Sequence, residues 1–359
     1  MKMKFICVML LFVTNFRTFS QDVTAIGRSQ AIAKGINVSW LEHYWDSHVL
    51  SDLKIKDGDF VLIAKMGFNT IRLPVDFEHF YLNASPTQKN LLVSRIDYMI
   101  KKCKAYKLKL ILVNHYGKLT QKNFQQDSDR LVRLWADLEK RYRQISTENL
   151  YFELLNEPTI KDTLWLATAA QVVSVIRKFS PDRTIIIGAS NYNSLYELSR
   201  IKPINHKNIL YTFHFYEPFI FTHQGAEWVD KQVATIGIPF PYLPNLMPKM
   251  SRNAIGTGGE PNYNNYSNEG KVGSIRDKIQ IAKQWSVKYK VPVLCGEYGA
   301  YRKHISDDHI ANYISTVRTE LLRVGIPGII WDYNQNFSLF RGPANIKNLS
   351  PRMQKALGM

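Results

Sequence analysis

Long apolar runs are missing from this sequence, and so is any dense use of cysteine. No segment of the 359 residues approaches the roughly 20 consecutive apolar positions that a membrane-spanning helix needs. The nearest is 5–13, preceded by Lys2 and Lys4 and followed by small residues at Thr18 and Ser20. That pattern predicts an export signal, 1–20, cleaved after Ser20, with one mature domain over 21–359. Of three cysteines, Cys7 lies in this signal, Cys103 on the apolar face of a predicted helix and Cys295 in an apolar strand. With no CxxC pair, neither a disulfide framework nor a zinc site is expected.

Acidic residues are also scarce, 30 against 47 Lys and Arg, for a formal charge of +17. Removing 1–20 takes away Lys2, Lys4 and Arg17 and no acid, leaving 17 − 3 = +14. The basic residues are spread over many predicted helices rather than gathered in one stripe, so a nucleic-acid partner is not expected. A phosphate-binding loop is lacking too. Residues 256–259 (GTGG) have no strand before them and no P-loop lysine after.

What is present is alternation. Short runs rich in Ile, Val and Leu fall at 34–38, 70–73, 109–113, 150–154, 184–188, 209–213, 291–296 and 328–331. They do not alternate apolar with polar, as expected of parallel strands covered on both faces. Helical periodicity fills the gaps; Leu131, Leu134, Trp135, Leu138 and Tyr142 form one stripe. Another helix opens at Ser306, Asp307 and Asp308 and stops at Gly325. Eight strand–helix units predict an α/β fold, a single-domain (β/α)8 TIM barrel. The exception is 217–272, rich in Pro, Gly, Asn and aromatics, which reads as a long insertion after the sixth strand that overhangs the barrel mouth.

Chemistry concentrates where strands end. Residues 150–158 (LYFELLNEP) place Asn156 and Glu157 at the end of the fourth strand, and 291–299 (VPVLCGEYG) place Glu297 at the end of the seventh. Two carboxyl groups facing each other across a barrel mouth suit glycoside hydrolysis, in which one protonates the leaving oxygen and the other meets the anomeric carbon. The proton donor needs a raised pKa, for which the charge of Glu297 beside Glu157 is one source. Arg72 ends the second strand, where it can hold a carboxylate ionised. His115 follows the third strand, and His214 and Tyr216 the sixth. Trp331 ends the eighth, with an indole face suited to a pyranose ring. Trp40, after the first strand, and Trp228, in the insertion, carry the same expectation. Asn37 heads an Asn-x-Ser triplet but lies within the first strand, so it is not read as a glycosylation site.

In order along the chain, Arg72, His115, Asn156 with Glu157, His214 with Tyr216, Glu297 and Trp331 resemble the strand-end set of glycoside hydrolase family 5, the cellulase family of clan A. The resemblance runs from Gly35 to Trp331. It departs at 113–116 (VNHY), where many members carry an acid or paired histidines, and this leaves the role of Asn114 open. The resemblance implies a retaining hydrolase of β-linked polysaccharides that works without metal; no cofactor is expected, and the protein is expected to be a monomer. Glu157 would serve as acid/base and Glu297 as nucleophile. β-1,4-Glucan is the expected substrate, with β-mannan, xyloglucan or β-glucosides as alternatives on the same machinery. A carbohydrate-binding barrel without activity is the reading from another class.

Overall fold

The computed structural model describes residues 22–42, 50 and 54–359. The export signal predicted over 1–20 lies outside the described residues. Eight parallel strands close into a barrel in chain order: β1 (Lys34–Asn37), β2 (Thr70–Val75), β3 (Lys109–Asn114), β4 (Leu150–Glu153), β5 (Ile185–Gly188), β6 (Ile209–His214), β7 (Val293–Tyr298) and β8 (Gly328–Ile330). Each predicted strand is present, within one or two residues at either end. β7 starts at 293 rather than 291 because Pro292 has no N–H for the ladder; only its carbonyl takes part, accepting from Tyr211 N.

Burial on both faces gives two apolar layers. Inside the ring, Ile111, Val113, Tyr151, Ile186, Leu210, Leu294 and Ile329 pack together with Ala25 and Ile32. Ala25 belongs to the helix Val23–Gln30. Outside, the helices cover the opposite strand faces in one continuous core. The helix Phe124–Tyr142 presents the stripe read from the sequence, with Leu131, Leu134, Trp135, Leu138 and Tyr142 all buried. Indoles also close the strand ends. Trp135 Nε1 donates to Leu154 O at 3.0 Å, and Trp165 Nε1 to Gly188 O at 2.7 Å, which fixes the chain where β4 and β5 leave the sheet. The helix Asp307–Arg323 begins at an N-cap Ser306 that accepts from His309 N.

The insertion, expected as a long loop over the mouth, carries structure of its own. It folds into short helical turns, among them Phe219–Thr222, Gly259–Asn264 and Tyr266–Glu269. Its first part reaches the mouth. The rest packs down the outside of the barrel: Phe240 meets Tyr313 at 5.4 Å, and Tyr266, fully buried, donates to Pro239 O. Phe240 and Tyr266 thus supply core, while Trp228 stays at the mouth.

Candidate active site

At the carboxyl end of the ring, Arg72 is the hub. Its guanidinium is fully buried and donates to four residues. Nε and Nη2 grip Glu153 at 2.8 and 2.7 Å, a bidentate pair. Nη1 donates to Glu297 Oε1 at 2.6 Å and to Asn37 Oδ1 at 2.8 Å, and Nη2 also to Asn156 Oδ1 at 2.6 Å. Asn37 in turn donates to the carbonyls of Gly296 and Ile330. One cation therefore ties β1, β2, β4 and β7 together across the ring. Glu153 and Asn37 were not singled out from the sequence as site residues. Glu153 did leave a signal, a charge inside an apolar strand two residues from the inward Tyr151.

Glu297 is set by a break in the ladder. The β6–β7 register shifts so that Phe213 faces Cys295 but His214 faces Glu297, skipping Gly296. Such bulges re-aim side chains at functional sites. Glycine is required close by: a Cβ at Gly299 would lie 1.8 Å from Trp331 O, so the strand could not pass that carbonyl. The Glu297 carboxylate then takes Arg72 on one oxygen and the Tyr216 hydroxyl, at 2.8 Å, on the other. Burial raises its pKa, while His214, Arg72 and the Tyr216 bond pull it back towards the ionised form.

Glu157 has the opposite surroundings. Among the described residues its side-chain partner is His214 Nδ1, 2.7 Å from Oε1. Burial, and secondarily the charge of Glu153, push its pKa up to about 7, with Arg72 opposing. The sequence left two sources open, desolvation and a nearby charge such as that of Glu297. Desolvation is the larger of the two, and the nearby charge that adds to it is that of Glu153. His214 is held near 4, mainly by burial, so its imidazole is neutral at pH 7. One oxygen of Glu157, a ring nitrogen of His214 and one oxygen of Glu297 all lie within 4.8 Å of one another. These three atoms have metal-ligand spacing, but a divalent cation there would sit beside the Arg72 guanidinium and displace donors Glu297 already holds. The electrostatics favour a proton between these groups.

A cleft of about 690 Å³ opens over this pair. Asn156, Glu157, His115, Tyr216, Trp228, Glu297 and Trp331 all line it. His115 is paired with neither catalytic candidate; its Nε2 lies 3.8 Å from Glu42. It stacks on Trp331 at 5.5 Å and 5° between planes, so it backs the indole. Trp228, 36% exposed, stands edge-on to Tyr301 at 4.7 Å and extends an aromatic wall through Phe337. Trp40 is the misplaced expectation. It is 2% exposed and packs edge-on against Tyr98 on the helix Pro86–Ala105, outside the ring. Its neighbour Ser39, in the same turn beyond β1, is the residue that faces the cleft. Glu42, Asp332 and Tyr192 also line the cleft and were not anticipated.

The Cellulase (glycosyl hydrolase family 5) model matches residues 28–337. The chain belongs to glycosyl hydrolase family 5. As a family 5 enzyme it breaks O-glycosidic bonds. Among its relatives, Endoglucanase C of Acetivibrio thermocellus is 30% identical over 84% of this chain and 91% of its own length. Endoglucanase 3 of Fibrobacter succinogenes is 29% identical over 91% of this chain, which spans only 52% of that protein. A solved hyperthermophilic endo-β-1,4-glucanase in complex with substrate superposes with a TM-score of 0.76 at 25% identity, covering 93% of this chain and 99% of that one. Among the described residues no helix is long and apolar enough to cross a membrane.

Proposed function

We propose that this family 5 enzyme is an exported, endo-acting β-1,4-glucanase that retains anomeric configuration. One observation carries the mechanism: a carboxylate clamped by Arg72 and Tyr216 faces, within 4.8 Å, a carboxyl whose pKa is raised to about 7. That separation suits direct attack; an inverting pair stands about 6.5–9.5 Å apart to admit a water.

Glu297 attacks the anomeric carbon while Glu157 gives its proton to the departing oxygen. A glycosyl ester on Glu297 results. Glu157, now a carboxylate, takes a proton from water, which attacks the same carbon, breaks the ester and frees Glu297. Asn156, its oxygen occupied by Arg72, keeps its amide for the sugar 2-hydroxyl. Trp331 offers the face for the ring being cleaved, and Trp228 widens that aromatic surface. The names of the endoglucanase relatives favour β-1,4-glucan, and the charge and apolar pattern of 1–20 favours export.

Purified protein would be incubated with β-glucans and β-mannans and the products sized. Rapid shortening of soluble β-1,4-glucan is expected; activity confined to mannan would reject the substrate. Proton NMR of early products should show the β anomer first, and an initial α anomer would reject direct attack by Glu297.

The acid requirement also fixes a pH dependence. A carboxyl with a raised pKa is protonated below that value, so kcat/KM should fall as pH rises through about 7. Glu157→Gln, tested on a substrate whose leaving group needs no proton, should lose that limb. Its persistence in the variant would assign the limb to another group.

A further inference from the structure

His214 stands between the two glutamates, and only one of its ring nitrogens faces them. Nδ1 lies 2.7 Å from Glu157 Oε1 and 3.5 Å from Glu297 Oε2. Among the described residues Nε2 is buried without a hydrogen-bond partner, and so is the hydroxyl of Thr212, on the same strand. An unpaired polar atom in a protein interior is costly, and most find a partner. Two on one strand point to a partner they share.

The strand pattern brings them together. Leu210 lies inside the ring, so Thr212 and His214, further along β6 in the same row, face that side too. On β7 Leu294 is also inside, and the next residue of its row is Gly296, which carries no side chain. A Cβ there would come within 2.6 Å of Thr212 Oγ1 and 3.4 Å of His214 Nε2. Both unpaired atoms thus border the bare Cα of one glycine.

The chemistry decides what each atom needs. Burial holds His214 near 4, so at pH 7 its ring carries a proton on one nitrogen only. Which nitrogen is set by the bonds the other makes. Glu157 and Glu297 present carboxyl oxygens to Nδ1, and these accept. A proton on Nδ1 leaves Nε2 a lone pair in want of a donor. The Thr212 hydroxyl lies beside it, and a buried water is held by groups of this kind.

We infer that Thr212 is a positioning residue for the acid/base: its hydroxyl holds a water over Gly296 that donates to His214 Nε2. The ring's one proton is thereby kept on Nδ1, where it donates to Glu157 Oε1 throughout the cycle. The carboxyl proton of Glu157 is left on Oε2, available to the departing oxygen. With the opposite tautomer Nδ1 would draw that proton onto Oε1, away from the substrate. The inference rests on the acid/base role proposed for Glu157 and adds what aims its proton. The charged groups facing His214 are Glu157 and Glu153 at the β4 end, Glu297 on β7 and Arg72 on β2, with His115 beyond β3. None of them bonds to Nε2.

Thr212→Val keeps the side-chain shape, removes the hydroxyl and changes none of these charges. Weakening the donor to the Glu157 carboxylate favours its protonated form. The fall in kcat/KM on cellohexaose should therefore move upward from near 7, by about one pH unit. Below that limb the misdirected proton should cost about tenfold on cellohexaose. On β-cellobiosyl fluoride, whose leaving group departs without a proton, the change should stay within about twofold. Thr212→Ser retains a hydroxyl and should restore both limb and rate. Nitrogen NMR of histidine-labelled protein at pH 7 should show His214 protonated on Nδ1 in the wild type and on both nitrogens in Thr212→Val. An unmoved limb in Thr212→Val, an equal loss on both substrates, a serine variant no better than valine, or a wild-type proton on Nε2 would each overturn the inference. A wild type whose limb appears equally on the fluoride, or that is inert towards both substrates, would instead overturn the acid/base reading of Glu157.

Discussion

Glu297→Ala is expected to lower hydrolysis of soluble β-glucan at least about 10⁴-fold while the barrel stays folded. The reason for both halves is local. The Glu297 carboxylate is the group that Arg72 and Tyr216 together hold in place at the cleft floor, facing Glu157. Its removal does not strand the cation, because Arg72 keeps the bidentate pair with Glu153. Circular dichroism should match wild type. Added azide with an activated aryl glycoside should restore turnover, since the small anion fits the vacated space and attacks from the same side. The product would be a glycosyl azide of inverted configuration. Activity within tenfold of wild type would remove Glu297 from the nucleophile's role.

Arg72→Met is expected to have the largest effect on stability, a loss of about 3–5 kcal/mol. Arg72 and Glu153 are both 0% exposed, so deleting the cation leaves Glu153 as a buried charge without its counter-ion. Adding Glu153→Leu removes the stranded charge and should recover much of the loss, a coupling that a double-mutant cycle in urea would measure. Activity should not return in the double variant, because Glu297 would still lack its cation. A single variant as stable as wild type would show that the pair contributes less than its geometry implies.

The barrel was legible because its strands are buried on both faces, which removes polar alternation and leaves compact Ile, Val and Leu runs. The strand-end position of Glu157 and Glu297 followed directly from where those runs stop. Contacts across the ring were harder to read. Asn37, Glu153 and Arg72 come together only once β1, β2 and β4 have closed, and nothing in their spacing announces it. Trp40 and Trp331 look alike in sequence, each just past a strand. One turns outward to Tyr98 and the other inward to the cleft, because the backbone after each strand takes a different path. The insertion misled for a related reason. Its Pro and Gly content suggested open loop, whereas Phe240 and Tyr266 pin it to the barrel's flank.

Because a single guanidinium fastens four staves of the cask and also steadies the attacking group, heat should extinguish turnover and tertiary order together, with no sturdy but idle form in between. Such a protein has little freedom to adjust its centre. New sugar preferences would have to be acquired at the rim, in segments like the one bearing Trp228, where a change of side chain leaves the brace untouched.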